Sequence, residues 1–250
     1  MRFLRVPLKP VLDTADILAT ALELTQAQSQ EAVHETLAKL AARQGFDGFL
    51  YGARFSLGST RHTDFIMSDY GADWRRTYDT AGYAMLDPTV AHAVSSVAPL
   101  VWSDAMYHTE AQRNFAEEAA SHGIRTGATL PVQTREGDVA MLSFTIDSQG
   151  ADARRLVEES LVWGTLVATV AHETMRKLIK PTLVPPVRLT RRETEVLKWI
   201  AAGKTDWEMS RLMGISEHGV VHHVRNIMIK YDVASRFQAV AKAAASGIEF

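Results

Sequence analysis

Four residues in one short window carry most of the chemistry in this chain: Tyr70, Trp74, Tyr78 and Asp87. The first three recur every four residues, so on a helix their rings stack on one face, a turn apart. Each ring is apolar with a polar atom at its edge, and Asp87 arrives just after that helix should end. Such a wall offers phenol and indole donors beside a carboxylate acceptor, an unusual inventory for an ordinary core. The same stripe also reads as ordinary aromatic packing. Other chemistries are poorly supplied. The sequence has no cysteine, which removes disulfides, thiolate metal sites and thiol nucleophiles. His222 and His223 are adjacent, so on a helix they point about 100° apart and cannot form the i, i+4 pair that grips a metal. There is no Gly-x-Ser-x-Gly elbow and no Walker phosphate loop. An enzyme is not expected, nor a metal or other cofactor.

At 250 residues, 46% apolar and 22% charged, the chain has room for one large domain or two ordinary ones of soluble composition. No stretch approaches about 18 uninterrupted apolar residues, so no membrane partner is expected. The first residues do not read as a signal peptide, and a cytoplasmic location fits. A net charge of −2 hides an asymmetry: the chain from Lys180 onward nets +4 and the part before it −6. A basic tail on an acidic body suggests a polyanion-binding module joined to something else.

The elements that must position these residues can be read from periodicity. Asp13 to Gly45 predicts two amphipathic helices, the second closed by Gly45 as a left-handed cap. Phe46–Phe55 and Asp64–Met67 predict two strands around a turn at Gly58, Ser59 and Thr60. Beyond the aromatic helix come a short apolar helix at Thr89–Val97, a lone Trp102, and an acidic amphipathic helix at Thr109–His122. Strands at Thr126–Gln133 and Val139–Asp147 follow, joined through Glu136-Gly137-Asp138. Alternation sets Met141, Ser143 and Thr145 on one face. Asp152–Ile179 predicts a long helix with an apolar seam of Leu156, Val157, Leu161, Val162, Leu166 and Val170. Helices before, within and after an antiparallel sheet predict an α+β fold, with an α-β-α sandwich over residues 1–179. Pro181, Pro185 and Pro186 interrupt any helix and predict a semi-stiff linker at 180–188.

Residues 189–250 predict an all-α module of four helices. Thr190 with Glu193 and Thr205 with Glu208 are capping boxes, and Gly214 makes a tight turn before Ser216 caps a third helix. Val220, Val224 and Ile227 anchor that helix inward. His218, Val221, His222 and Arg225 then face out, with Ser216 and Glu217 at the first turn. In a helix-turn-helix this face enters the major groove, where Arg225 reaches a guanine edge or a phosphate. Lys204, Thr205, Lys230 and Arg236 are placed to grip phosphates.

This module resembles the DNA-binding domain of LuxR-type regulators. The likeness rests on Leu-Thr-x-Arg-Glu-x-Glu-Val-Leu at 189–197, Gly203-Lys204-Thr205, Ile215-Ser216-Glu217, Val220, Asn226-Ile227 and Lys230. It implies double-stranded DNA as a partner and a fourth helix, at about Ala234–Ser246, that helps the domains dimerise. The preceding part resembles the acyl-homoserine-lactone-binding domain of quorum-sensing receptors, through Tyr70, Trp74, Tyr78, Asp87, Pro88, Trp102 and Gly127. Tyr-Asp-x-Ala-Gly-Tyr-Ala-x-x-Asp-Pro-Thr-Val at 78–90, with Arg75 and Ser143, is similar to that family's long-chain receptors.

The resemblance implies a ligand-dependent transcriptional regulator, an activator, that binds an N-acyl homoserine lactone with or without a 3-oxo group. It implies a homodimer on a dyad-symmetric promoter element, working with RNA polymerase. In the family's pattern the Trp74 indole serves the lactone carbonyl, Tyr70 and Ser143 serve the amide carbonyl, and Asp87 accepts the amide N–H. Trp102 packs over the lactone ring, Tyr78 and Thr89 hold Asp87, Arg75 reaches a 3-oxo group through water, and Thr129 joins the same set. Arg54, Arg61 and Met141 stand where close relatives carry less charged or smaller residues around the tail, so Met141 is expected to shorten or bend the tail pocket. Two rival readings are an enzyme acting on the acyl group, opposed by the absences above, and the same regulator answering a non-lactone signal, opposed by the intact head-group residues.

Overall fold

The computed structural model describes residues 14–57, 61–183, 187–246 and 248. The turn expected at Gly58, Ser59 and Thr60 and the middle of the expected linker lie outside the described residues. The chain forms two compact units, 1–184 and 185–250.

The first unit opens with α1 (Thr14–Gln26) and α2 (Gln30–Gln44). Ser29 caps α2 by accepting the Ala32 N–H, and Gly45 ends it at φ +87°, a left-handed conformation that a residue without Cβ adopts freely. The hairpin of β1 (Gly48–Ser56) and β2 (His62–Ser68) follows, then α3 (Ala72–Thr80), a 3-10 turn at Tyr83–Met85, and α4 (Pro88–Ser95). After β3 (Leu100–Val101) and a second 3-10 turn at Asp104–Met106 comes α5 (Glu110–Ser121), started by the Thr109–Gln112 capping box. The hairpin of β4 (Thr126–Gln133) and β5 (Val139–Ile146) leads into α6 (Ala151–Leu183).

The five strands form one antiparallel sheet in the order β2-β1-β5-β4-β3. Side chains alternate across it. One face presents Phe49, Tyr51, Phe55, Leu142, Phe144 and Leu130, all fully buried with α1, α2 and α6 in a single apolar core. The other face presents Leu50, Gly52 and Arg54 opposite Ser143, Met141 and Val139. A second apolar cluster, formed by Trp74, Phe115 and Ala119 with Tyr70, Tyr78, Tyr83 and Tyr107, brings α3 and α5 together.

Two expectations are corrected here. On α6, Val162 is 85% exposed and Leu166 42% exposed, so neither belongs to the buried seam. The buried line runs instead through Ala153, Val157, Trp163, Val167, Ala168, Ala171 and Met175. Small residues on that line let the helix lie close to the sheet: a Cβ at Gly164 would sit 2.6 Å from Leu130. The sequence is apolar on more than one side of this helix, and backbone approach, not hydrophobicity, selects the inner one. The helix also runs through Pro181 to Leu183. Proline's fixed φ is itself a helical one, so the helix continues for two residues past Pro181 despite one lost backbone hydrogen bond and the crowding of the ring against the preceding turn.

A polar group is sealed inside the same core. His172 on α6 stacks on Phe55 at 5.6 Å, and its Nδ1 lies 2.8 Å from the Tyr51 hydroxyl, while Asp138 accepts the Ser56 N–H at 2.8 Å. This group ties β1, the end of the β4–β5 turn and α6 together.

The second unit holds α7 (Arg191–Ala201), α8 (Asp206–Met213), α9 (Glu217–Tyr231) and α10 (Arg236–Ala245). Its core is Val196, Leu197, Ile200, Met209, Met213, Val220, Val224, Ile227 and Tyr231, with Ala239 and Ala243 from α10. Gly214 ends α8 at φ +63°, the tight turn that sets α9 across α8. Among the described residues no helix is long and apolar enough to cross a membrane.

Candidate functional site

The open face of the sheet bounds a cavity of about 400 Å³, roofed by residues of α3, α4 and α5. Its lining includes Tyr70, Trp74, Arg75, Tyr78, Asp87, Thr89, Trp102 and Ser143. Eight of the nine cavity residues expected from the sequence therefore converge on one space. The ninth, Thr129, is fully buried and does not line the cavity.

Asp87 is the polar centre. It caps α4: its Oδ1 accepts the Thr89 N–H at 2.8 Å and the Thr89 hydroxyl at 2.7 Å. Its Oδ2 accepts the Tyr78 hydroxyl at 3.0 Å, which leaves lone pairs for one more donor. Burial pushes the Asp87 carboxyl above its ordinary value, and the Thr89 and Tyr78 hydrogen bonds counteract that only in part. Burial likewise raises the Tyr70 and Tyr78 phenols, and raises Tyr107 to about 12, with the Asp87 charge adding in each case. All three stay neutral donors at physiological pH.

Donors line the same cavity. The Tyr70 hydroxyl is buried and has no hydrogen-bond partner among the described residues. A buried unpaired donor is unfavourable, which marks a place where a partner is missing. Trp74, 3% exposed, is wedged among Tyr78, Tyr83, Phe115 and His122 at ring distances of 5.5–6.0 Å. That packing fixes the indole plane.

The far wall carries a hydrogen-bond chain. Trp102 Nε1 donates to Thr129 Oγ1 at 2.9 Å, and Thr129 Oγ1 lies 2.9 Å from Ser143 Oγ. If Thr129 passes its proton to Ser143, the Ser143 hydroxyl is free to donate into the cavity. The β4–β5 register places Thr129 directly opposite Ser143. Trp102 lies flat because residue 127 has no side chain: a Cβ at Gly127 would meet the Trp102 ring at 2.8 Å and the Phe144 carbonyl oxygen at 2.4 Å.

Arg75 lines the cavity, but its guanidinium pairs with Asp79 at 2.8 Å and sits 5.3 Å from the Tyr78 ring centre. Arg54 and Met141 also line it; Arg61 does not. Sequence reasoning missed Tyr107, Phe115 and Ile66 in the lining. Phe115 sat in what reads as an acidic surface helix, and no spacing signal singles out Tyr107.

In the second unit, His218, Val221, His222 and Arg225 are exposed along one side of α9, opposite the buried Val220, Val224, Ile227 and Tyr231. Ser216 is the α9 cap, accepting the Gly219 N–H at 3.1 Å, and Glu217 lies beside it in the first turn. His222 Nε2 is 3.1 Å from the Asn226 amide nitrogen. Arg225 has no ion-pair partner among the described residues. The expected phosphate grippers are differently engaged. Lys204 pairs with Glu208 at 3.3 Å, and Thr205 caps α8. Arg236 forms a two-pronged pair with Asp206. Lys230 donates to the buried Glu193 at 2.6 Å and to the Arg188 carbonyl at 3.0 Å. Burial pushes Glu193 up, but the Lys230 and Thr190 hydrogen bonds outweigh it and hold the carboxyl below its ordinary value. Arg211 lies over the exposed Trp207 ring at 5.7 Å, a pair the sequence did not suggest. No group of three or more metal-ligating side chains occurs among the described residues.

Residues 29–175 match the autoinducer binding domain family, and residues 187–243 match the luxR family of bacterial regulatory proteins. The chain is 30% identical over 227 residues to the HTH-type quorum-sensing regulator RhlR of Pseudomonas aeruginosa, covering 90% of this chain and 93% of that one. It is 32% identical to the transcriptional activator protein SolR of Ralstonia solanacearum, covering 89% and 94%. Among solved structures it is similar to Escherichia coli SdiA, with a TM-score of 0.67 at 23% identity, covering 94% of this chain and 99% of that one. That last likeness concerns the fold.

Proposed function

Since this chain belongs to the autoinducer-binding, LuxR-type family of quorum-sensing transcriptional regulators, not to a family of enzymes, we propose that its cavity takes an N-acyl homoserine lactone. The observation that carries this reading is the presence, in the lining of one largely apolar cavity, of an unpartnered, buried Tyr70 hydroxyl and an Asp87 carboxylate that retains accepting capacity. The lactone head has one amide N–H and two carbonyls. Asp87 accepts the N–H; Tyr70 and Ser143 donate to the amide carbonyl; the Trp74 indole donates to the lactone carbonyl; Trp102 covers the ring. Tyr78 and Thr89 orient Asp87, and Thr129 orients both Trp102 and Ser143. A 3-oxo group would draw Arg75 inward through a water, at the expense of its contact with Asp79.

Magnitudes divide the labour. A neutral hydrogen bond contributes about 1 kcal/mol net, and a buried group left unpaired is worse by more than that. Tail burial adds about 0.8 kcal/mol per methylene. The polar ring therefore selects the head group, and the tail supplies affinity.

Ligand binding fills a gap in the first unit and stabilises it by mass action. We infer a homodimer that presents two α9 helices to a dyad-symmetric DNA element and activates transcription with RNA polymerase, since a helix-turn-helix reads half-sites in pairs. His218, Val221, His222 and Arg225 read bases. The engagement of Lys204, Lys230 and Arg236 within the unit makes them secondary, salt-dependent phosphate contacts. The test is expression with and without added lactones, followed by extraction of the purified protein and mass spectrometry. Intact lactone recovered with soluble dimer is the expected result; hydrolysed lactone, or none in any preparation, overturns the reading.

A further inference from the structure

The open face of the sheet has a direction. Across β1 and β5, Leu50 lies opposite Ser143, Gly52 opposite Met141, and Arg54 opposite Val139. Across β1 and β2, Arg54 lies opposite Asp64. The cavity floor thus begins at a hydroxyl, continues through apolar side chains and a glycine, and ends at a pair of charges. Arg54 Nε and Nη2 reach the two Asp64 oxygens at 2.7 and 2.9 Å, a two-pronged pair. Both residues line the cavity, yet more than half of each side chain remains in water, 55% and 57%. At this end the cavity meets solvent through a hydrated ion pair. The hydrogen bond between them holds the Arg54 guanidinium above and the Asp64 carboxyl below their ordinary values, so both charges are present at any physiological pH.

We propose that the Arg54–Asp64 ion pair is the end stop of the acyl cavity and sets the longest tail the protein accepts. The proposal rests on the lactone reading above. A tail methyl that reaches the pair must either strip water from two charges or prise them apart, and each is unfavourable. A shorter tail meets apolar lining, Leu50, Gly52, Met141 and Ile66 on the sheet among it. The floor from Ser143 to Val139 spans four strand residues, about 13 Å. With C–C bonds of about 1.5 Å and angles near 111°, an extended chain advances about 1.25 Å per carbon. A tail of about ten carbons, its amide carbonyl at Ser143, therefore ends at the pair. Gly52 is the complementary control point. A Cβ there would lie 3.5–3.6 Å from Leu50 and Met141, ordinary contact, so a larger residue fits the fold while filling the floor before the stop.

The experiment measures reporter activation by the full-length protein with unsubstituted lactones whose tails run from about six to about fourteen carbons. In the wild type, potency should rise about fourfold per methylene to about ten carbons and fall beyond. In the Arg54→Ala/Asp64→Ala double variant it should keep rising, with at least about a tenfold gain over wild type at the longest tail and no change for short tails. An exposed ion pair contributes little to folding, so the double variant should accumulate normally. Gly52→Val approaches from the other side and should move the optimum to shorter tails. If wild type and double variant respond with superimposable length profiles, or if Gly52→Val leaves its profile unchanged, the end stop is wrong while the lactone reading stands. If the wild type answers no lactone of any length, the lactone reading fails and takes the end stop with it.

Discussion

On one face of the five-stranded sheet, Phe49, Tyr51, Phe55, Leu142 and Phe144 are fully buried against helices; on the other, Leu50, Gly52, Met141 and Ser143 border a cavity of about 400 Å³. The same strands supply both sets, in strict alternation, so the difference is not one of secondary structure. It lies in what covers each face. The solid side packs against α6, where Gly164 abuts the Leu130 side chain and Ala168 is buried. The hollow side meets short helices whose aromatic residues pack mainly on one another, which holds a roof over a space without filling it. A domain can keep a cavity of this size because its stability is placed elsewhere, on the opposite face of the sheet.

This comparison can be broken or sharpened by substitution. The largest expected effect is on the solid face: Phe144→Ala should destabilise the protein by about 3–5 kcal/mol in chemical denaturation, with or without ligand. A loss that ligand fully restores would mean that the two faces are not separate in energy. Next is Asp87→Ala, which removes the acceptor and the α4 cap together. Activation should need at least about tenfold more lactone, from loss of a charged hydrogen bond, and ligand-free stability should fall by about 1 kcal/mol from loss of the cap. Asp87→Asn keeps the cap and should show the first effect without the second.

Tyr70→Phe should act in opposite directions. Removing a buried hydroxyl that lacks a partner should raise ligand-free stability by about 1 kcal/mol, yet raise the lactone concentration needed about fivefold. Equal stabilities in ligand-free wild type and variant would show the hydroxyl already satisfied.

The smallest effect is one of pH, and its sign differs between the two units. Asp87 is raised in the fold relative to its ordinary 3.8, so its contribution favours the folded state at low pH and is lost as pH rises through the folded value. Glu193 is lowered relative to 4.5, so its contribution is present above that value and is lost as pH falls through the folded one. Full-length Asp87→Asn and Glu193→Gln variants, melted between about pH 6 and 3, should therefore deviate from wild type in opposite senses.

Much of this was legible in the sequence where a local rule has a local cause. The four-residue spacing of Trp74 and Tyr78 marked α3, although Tyr70, expected on the same helix, lies before its Gly71 cap, and the Thr190–Glu193 and Thr205–Glu208 boxes marked the starts of α7 and α8. Inward Val220, Val224 and Ile227 marked the face of α9. What was not legible depends on contacts distant in the chain. The Trp102–Thr129–Ser143 chain exists only because β4 and β5 pair in one register. The outward turn of Val162 and Leu166 follows from how near α6 approaches Leu130. Lys230 reads as a free cation until Glu193, 37 residues earlier, arrives beneath it. Helix α6 passes Pro181 because proline's fixed φ is a helical one, even though the ring removes one backbone hydrogen bond.

Asp87 answers to two constraints at once, since Oδ1 fastens the start of α4 while Oδ2, already holding Tyr78, faces the cavity. Lineages of this protein are therefore not equally free at all points of the site. A change at Asp87 that loses the α4 cap would be judged on stability as well as on which signal the chain hears. Arg54, Met141 and Gly52, on strands whose strength comes from the opposite face, are under no such double judgement. Divergence in signal preference should accumulate at the tail end while the head-group residues stand still, so that neighbouring populations come to differ in dialect before they differ in language.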